Sequence, residues 1–128
     1  MTGIEEANVQ TVIAYVDAYN RKDIEGMMAC LADDVIFEHL TNGHPTMKLA
    51  GKTAFREQAE KAAQLFAQRE QILRDRTIAD DVISVKINFT ATLAVDYNDL
   101  TAGETVNLQS HSVFVLKDYL IRKLIDIQ

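Results

Sequence analysis

Imidazole takes up and releases protons near neutrality, with an unperturbed pKa of about 6.5, and this chain carries three histidines, His39, His44 and His111. They lie on separate stretches, and no two fall at the His-x-x-x-His spacing that sets two metal ligands on one helix face. No metal site is expected from that spacing. The chain also lacks a Gly-x-Gly-x-x-Gly turn and the full Gly-x-x-x-x-Gly-Lys-Ser/Thr phosphate loop, so no nucleotide or other cofactor is expected. His39 stands near the end of the run Val35-Ile36-Phe37-Glu38-His39-Leu40, where it can carry a proton or simply bond the backbone. His44, beside Pro45, is expected to face water. Tyr15 can offer its phenolic hydroxyl to a carbonyl oxygen or satisfy a buried acceptor. Asp126 is the last acid in the sequence, either a reactive carboxylate or a solvated strand end. Cys30, the one cysteine, stands between Ala29 and Leu31 with no adjacent cation to lower its pKa, and reads as core packing.

The elements that must position these groups follow from hydrophobic periodicity. Over residues 5–20, Val9, Val12, Ile13, Val16 and Tyr19 recur at spacings of three and four, the mark of an amphipathic helix with Tyr15 beside its apolar stripe. Asp23 can cap a second, short helix that turns Ile24, Met27, Met28 and Leu31 inward and stops before Asp33-Asp34. A strand over 35–40 leads into a loop, Thr41-Asn42-Gly43-His44-Pro45. Thr53 is a plausible cap for a third helix to about residue 68, with Phe55, Ala59, Ala62, Ala63, Leu65 and Phe66 as its apolar members. Everything after Glu70 reads as strand, over 72–78, 82–95, 105–116 and 120–128. The strongest signal is 82–95, where Ile83, Val85, Ile87, Phe89, Ala91, Leu93 and Val95 alternate with mostly polar residues. Helices first, one strand among them, then four antiparallel strands make an α+β pattern. Long strands must bend, so we expect a cone-shaped α+β barrel, its three helices packed into a strongly curved, mixed, mainly antiparallel sheet around a pocket.

Composition limits the partners. Thirteen Lys and Arg against nineteen Asp and Glu give a net charge of -6, the wrong sign for neutralising phosphates, so nucleic acid is not expected. No apolar run is long enough to span a bilayer, and the opening Met-Thr-Gly-Ile-Glu-Glu lacks the basic start of a signal peptide. A cytoplasmic protein folded as one domain over residues 1–128 is expected.

The stretch from Tyr15 to His39 resembles the opening of the nuclear transport factor two-like superfamily, particularly SnoaL-like polyketide cyclases and ketosteroid isomerases. The likeness lies in a helix ending at Asn20, in Asp23 before the second helix, and in Leu31-Ala32-Asp33-Asp34-Val35 leading into a strand. Gly51-Lys52-Thr53-Ala54-Phe55 and the closing Leu124-Ile125-Asp126 fit as well. The resemblance implies the cystatin-like cone and a homodimer through the sheet. It also implies site residues: Tyr15 matches the isomerases' oxyanion donor, and His39 stands where they carry the proton-transferring aspartate. Their second donor falls near Ser110; if His111 faces inward instead, the likeness to scytalone dehydratase, a relative that uses pocket histidines and tyrosines, is the stronger one. Gln109, Ser110, His111 and Ser112 are all polar, so alternation does not choose between them. Asp126 falls where SnoaL-like relatives keep an aspartate.

From this follows the expectation of a cofactor-free isomerase, cyclase or dehydratase acting on a small, largely apolar cyclic molecule. His39 would move the proton and Tyr15 would hold the oxygen, with Ser110, His111 and Asp126 as further candidates. The rival is a non-catalytic ligand-binding or assembly module. Its outer sheet face is expected to carry Ile83, Val85, Ile87 and Phe89 with Val113 and Val115.

Overall fold

Thr2 starts the first helix, α1 (Gly3–Asn20), by a reciprocal cap: the Thr2 hydroxyl accepts from the Glu5 N–H and the Glu5 carboxylate accepts from the Thr2 N–H, both at 3.0 Å. The computed structural model describes all 128 residues. Val9, Val12, Tyr15 and Val16 are buried along α1, whereas Ile13, expected in the stripe, is 39% exposed. Tyr15 takes its place because positions 12, 15, 16 and 19 stack on one side of a 3.6-residue turn and position 13 does not. The second helix, α2 (Ile24–Ala29), is capped by Asp23, whose carboxylate accepts from the Gly26 N–H at 3.0 Å. The carboxylate lies so close that a Cβ on Gly26 would stand 2.5 Å from Asp23 Oδ2.

Leu31 opens the first strand instead of closing α2. Strands β1 (Leu31–Thr41) and β2 (His44–Ala50) form a hairpin through Asn42 and Gly43, at φ 53° and 79°. Two left-handed residues are what a tight hairpin turn demands. The loop expected through Pro45 is therefore half strand, and Pro45 is tolerated because β2 lies at a sheet edge, where a missing N–H breaks no ladder. Helix α3 (Lys52–Leu65) starts from Gly51 at φ 91°, with no side-chain cap, so Thr53 sits inside the first turn. It also stops at Leu65, short of residue 68. The chain there leaves directly into β3 (Phe66–Ala79), because pairing with β4 (Val82–Leu93) begins at Phe66 and overrides the local helical preference.

With β5 (Thr105–Lys117) and β6 (Leu120–Ile127) the six strands make one open sheet in the order β2-β1-β6-β5-β4-β3. It is mixed and mainly antiparallel, with β1 and β6 the parallel pair. The fold is α+β, with the helices against one face of the sheet. That face holds the core: Ile83, Val85 and Ile87, each 1% exposed, meet Phe114, Leu116, Ile121 and Leu124 beneath Val12, Val16, Met27 and Met28. Of the residues expected on the outer face, Ile83, Val85, Ile87 and Phe89 are thus inward, since only one side of each strand is covered by helices and alternation fills that side with the apolar set. Outward positions alternate with them, including Val82, Val113, Val115, Ile125 and Ile127, and Glu38 with Lys48 and Lys123 beside it. No helix is long and apolar enough to cross a membrane.

Candidate active site

Between the helices and the inward sheet face lies a cavity of about 410 Å³. Aromatic and aliphatic side chains make most of its wall, among them Phe37, Phe55, Phe66, Phe89 and Leu49. Tyr97 and Leu108, 51% and 45% exposed, mark where the wall reaches the surface. Set into it are Tyr15, Tyr19, His39, Arg69, Gln71, Ser110, Ser112 and Asp126.

The parallel register of β1 and β6 places His39 beside Asp126, and the antiparallel register of β5 and β6 places Ser112 on its other side. Neighbouring strands lie about 4.8 Å apart, and residues paired across them point to the same face. The Ser112 hydroxyl donates to Asp126 Oδ1 at 2.7 Å. Burial pushes the Asp126 carboxyl above the usual carboxylate range, and the Ser112 hydrogen bond and the nearby His39 charge only partly oppose it. His39 Nε2 is buried without a hydrogen-bond partner.

Tyr15 is 5% exposed and meets Phe55 and Phe114 edge to face, at centroid distances of 6.3 and 6.0 Å. Burial, reinforced by the charge of Asp126, lifts its phenol well above the ordinary value. Tyr15 therefore stays protonated, with a hydroxyl that can donate.

Arg69 occupies the β3 side. Its Nε donates to the Tyr19 carbonyl at 2.9 Å and its guanidinium carbon lies 3.7 Å from the Tyr19 ring centroid, a cation–π contact. Asn20 fixes this corner: its side chain donates to the Gln71 carbonyl at 3.1 Å and accepts from the Gln71 N–H at 2.7 Å, tying the end of α1 to β3.

Of the residues singled out in the sequence, Tyr15, His39, Ser110 and Asp126 share this cavity. His111 does not. It points to the opposite face, where its Nε2 hydrogen-bonds the Ser84 hydroxyl in a surface groove beside Lys86. Strand parity turns Ser110 and Ser112 inward together, which settles the alternative left open by four successive polar residues. His44 is exposed on β2. Cys30 is buried just after α2, its Sγ 3.4 Å from the Gly26 carbonyl, and burial pushes its thiol up. No three His, Cys, Asp or Glu side chains cluster as metal ligands would. Sequence reasoning missed Ser112 and Arg69. Ser112 lay in plain view within the polar run, but Arg69 fell at a helix–strand boundary and looked like any solvated charge.

The family model described as a SnoaL-like domain matches residues 12–124. No curated protein matches the chain. Among solved structures, a candidate polyketide cyclase from Xanthomonas campestris pv. campestris is similar over 98% of this chain and 93% of its own, at 23% identity and a TM-score of 0.81. A candidate SnoaL-like polyketide cyclase from Jannaschia sp. CCS1 is similar over 98% of this chain and 88% of its own, at 15% identity and a TM-score of 0.84. An LEH-like epoxide hydrolase of M. tuberculosis is similar over 96% of this chain and 83% of its own, at 15% identity and a TM-score of 0.78. Likeness at such identities is a likeness of fold.

Proposed function

The chain belongs to the SnoaL-like family, and from that premise we propose that it is an acid–base catalyst of the cyclase, isomerase or dehydratase kind, acting on a small, largely apolar cyclic molecule. The observation that carries this reading is the Asp126 carboxyl, flanked by His39 and held by Ser112 inside an aromatic-walled cavity. A carboxyl whose proton affinity is raised by burial is better suited to taking a proton from carbon or returning it to oxygen than an exposed one. Asp126 is thus the preferred base, and His39, expected to abstract the proton itself, becomes its neighbour across the β1–β6 pairing. Tyr15 donates a hydrogen bond to the carbonyl oxygen as negative charge develops there, a contribution of about 3 to 4 kcal/mol for a preorganised donor. The two cyclase-named neighbours and the epoxide hydrolase support a small-molecule cavity of this kind.

We propose further that two copies pair through the outer sheet face, where Val113, Val115, Ile125 and Ile127 leave half-buried apolar surface outward.

The test of catalysis needs no knowledge of the natural substrate. The α-protons of 2-tetralone are followed by proton NMR in D₂O with the wild-type protein and with Asp126→Asn. Exchange faster than in buffer, lost in Asp126→Asn, is the expected result. Saturable binding of the ketone with no exchange beyond the buffer rate would instead favour a ligand carrier.

A further inference from the structure

Arg69 brings a full positive charge into the wall of a mostly apolar cavity and finds no counterion there. The residue is 5% exposed, and a guanidinium keeps its proton in a folded protein. An unpaired buried charge is among the costlier features a fold can hold. A structural arginine ordinarily satisfies its nitrogens within the protein. Here only Nε does so, with the Tyr19 carbonyl, while one face of the group rests on the Tyr19 ring. The terminal nitrogens, Nη1 and Nη2, have no partner. They belong to the donor fork that matches planar oxyanions, two parallel N–H···O bonds at a time. The groups acting on Arg69 are the phenols of Tyr19 and Tyr15, which burial keeps protonated and neutral, with no carboxylate among them.

The nearest acid of the site stands well apart. Asp126 is on β6 and Arg69 on β3, three strands away in the order β6-β5-β4-β3, roughly 14 Å along the sheet at about 4.8 Å per spacing. The cavity is therefore bipolar, with a proton-transfer group at one end and a fixed cation at the other. Because Nη1 and Nη2 are already closed to bulk water, folding has met their desolvation cost in advance, and an arriving anion need not meet it again.

We propose that Arg69 forms a binding subsite for a delocalised oxyanion carried by the ligand, either a carboxylate or the enolate of a cyclic 1,3-dicarbonyl, at the opposite end of the cavity from Asp126. Gln71, which lines the same wall, offers a neutral amide beside it. The assignment rests on the proposed function only for what happens at the Asp126 end. Anion binding itself stands without turnover.

The test is calorimetric titration of the full chain at neutral pH with two matched pairs: 2-naphthoate against 2-naphthamide, and 5-phenylcyclohexane-1,3-dione against its methyl enol ether. The wild type is expected to prefer an anion over its neutral partner by about tenfold or more, the worth of one charge-assisted hydrogen bond. Which pair shows the larger preference tells whether the carboxylate or the enolate is the better fit. Arg69→Met removes the preference and keeps the neutral affinities. Should that variant fail to fold, Arg69→Lys decides, because it keeps the charge but loses the fork, and the preference falls severalfold. Equal affinity for both members of each pair, no binding by any of the four at millimolar concentration, or an undiminished preference in the folded variants overturns the proposal. Asp126→Asn separates the two readings: it retains the anion preference whether or not the wild type exchanges α-protons.

Discussion

Replacing Ser112 with alanine removes the one hydrogen bond that the protein gives the Asp126 carboxyl, at 2.7 Å. A hydrogen bond to a charged group contributes about 1.5 to 3 kcal/mol, and one pKa unit corresponds to about 1.4 kcal/mol. Because the bond favours the ionised form, its loss moves the Asp126 titration further up, by about one to two units. The same free energy must appear in stability. Asp126 already binds its proton more tightly in the folded chain than an exposed aspartate does. Its stabilising contribution is therefore complete below the unfolded pKa and is lost as pH rises through the folded one. Ser112→Ala widens that window. The variant is expected to lose about 1.5 to 3 kcal/mol at a pH where Asp126 is ionised and much less where it is protonated. Two assays check each other: carbon-13 NMR titration of the Asp126 carboxyl, and urea unfolding of both proteins at acidic and alkaline pH. A titration that stays in place or moves down, or a destabilisation independent of pH, refutes the account of how this carboxyl is tuned.

Three other expectations follow from the same geometry. Asp126→Asn deletes a charge that burial penalises, so its melting temperature should exceed that of wild type at alkaline pH, with the gap closing toward acidic pH; scanning calorimetry across pH measures it, and a gap widening toward acid would contradict the burial argument. Gly26→Ala drives a methyl group against the Asp23 carboxylate that caps α2, which should cost about 1 kcal/mol or more in chemical denaturation. Light scattering should give about twice 14.4 kDa for the wild type, and placing lysines at Val113 and Ile125 together should return the single-chain mass if the outer face is the contact.

The chemistry of the site was more legible than its assembly. Tyr15, His39 and Asp126 each stand out by residue type, yet nothing local says that His39 and Asp126 are neighbours, because their contact arises from the parallel pairing of β1 with β6. Alternation over 82–95 marked a strand and two faces, but which face the helices cover is decided by packing, and Ile83, Val85 and Ile87 went inward. The β2 strand was hidden by Pro45, whose cost disappears only at an edge. Arg69 was illegible for a deeper reason. Burial of a charge runs against the preference that lets sequence reasoning work, so groups placed for function are the ones that composition and pattern assign to solvent.

The parallel pairing of β1 with β6 also dates the site within the folding process. Hairpins such as β1–β2 and β3–β4 join strands close in sequence and close quickly, whereas β1 and β6 must meet after the intervening chain has found its place. His39 and Asp126 therefore become a pair only when this long-range closure is made. Amide hydrogen exchange along the β1–β6 ladder would then report the lifetime of the assembled site, since any excursion that parts those two strands separates the pair even while the β3–β4–β5 meander stays intact.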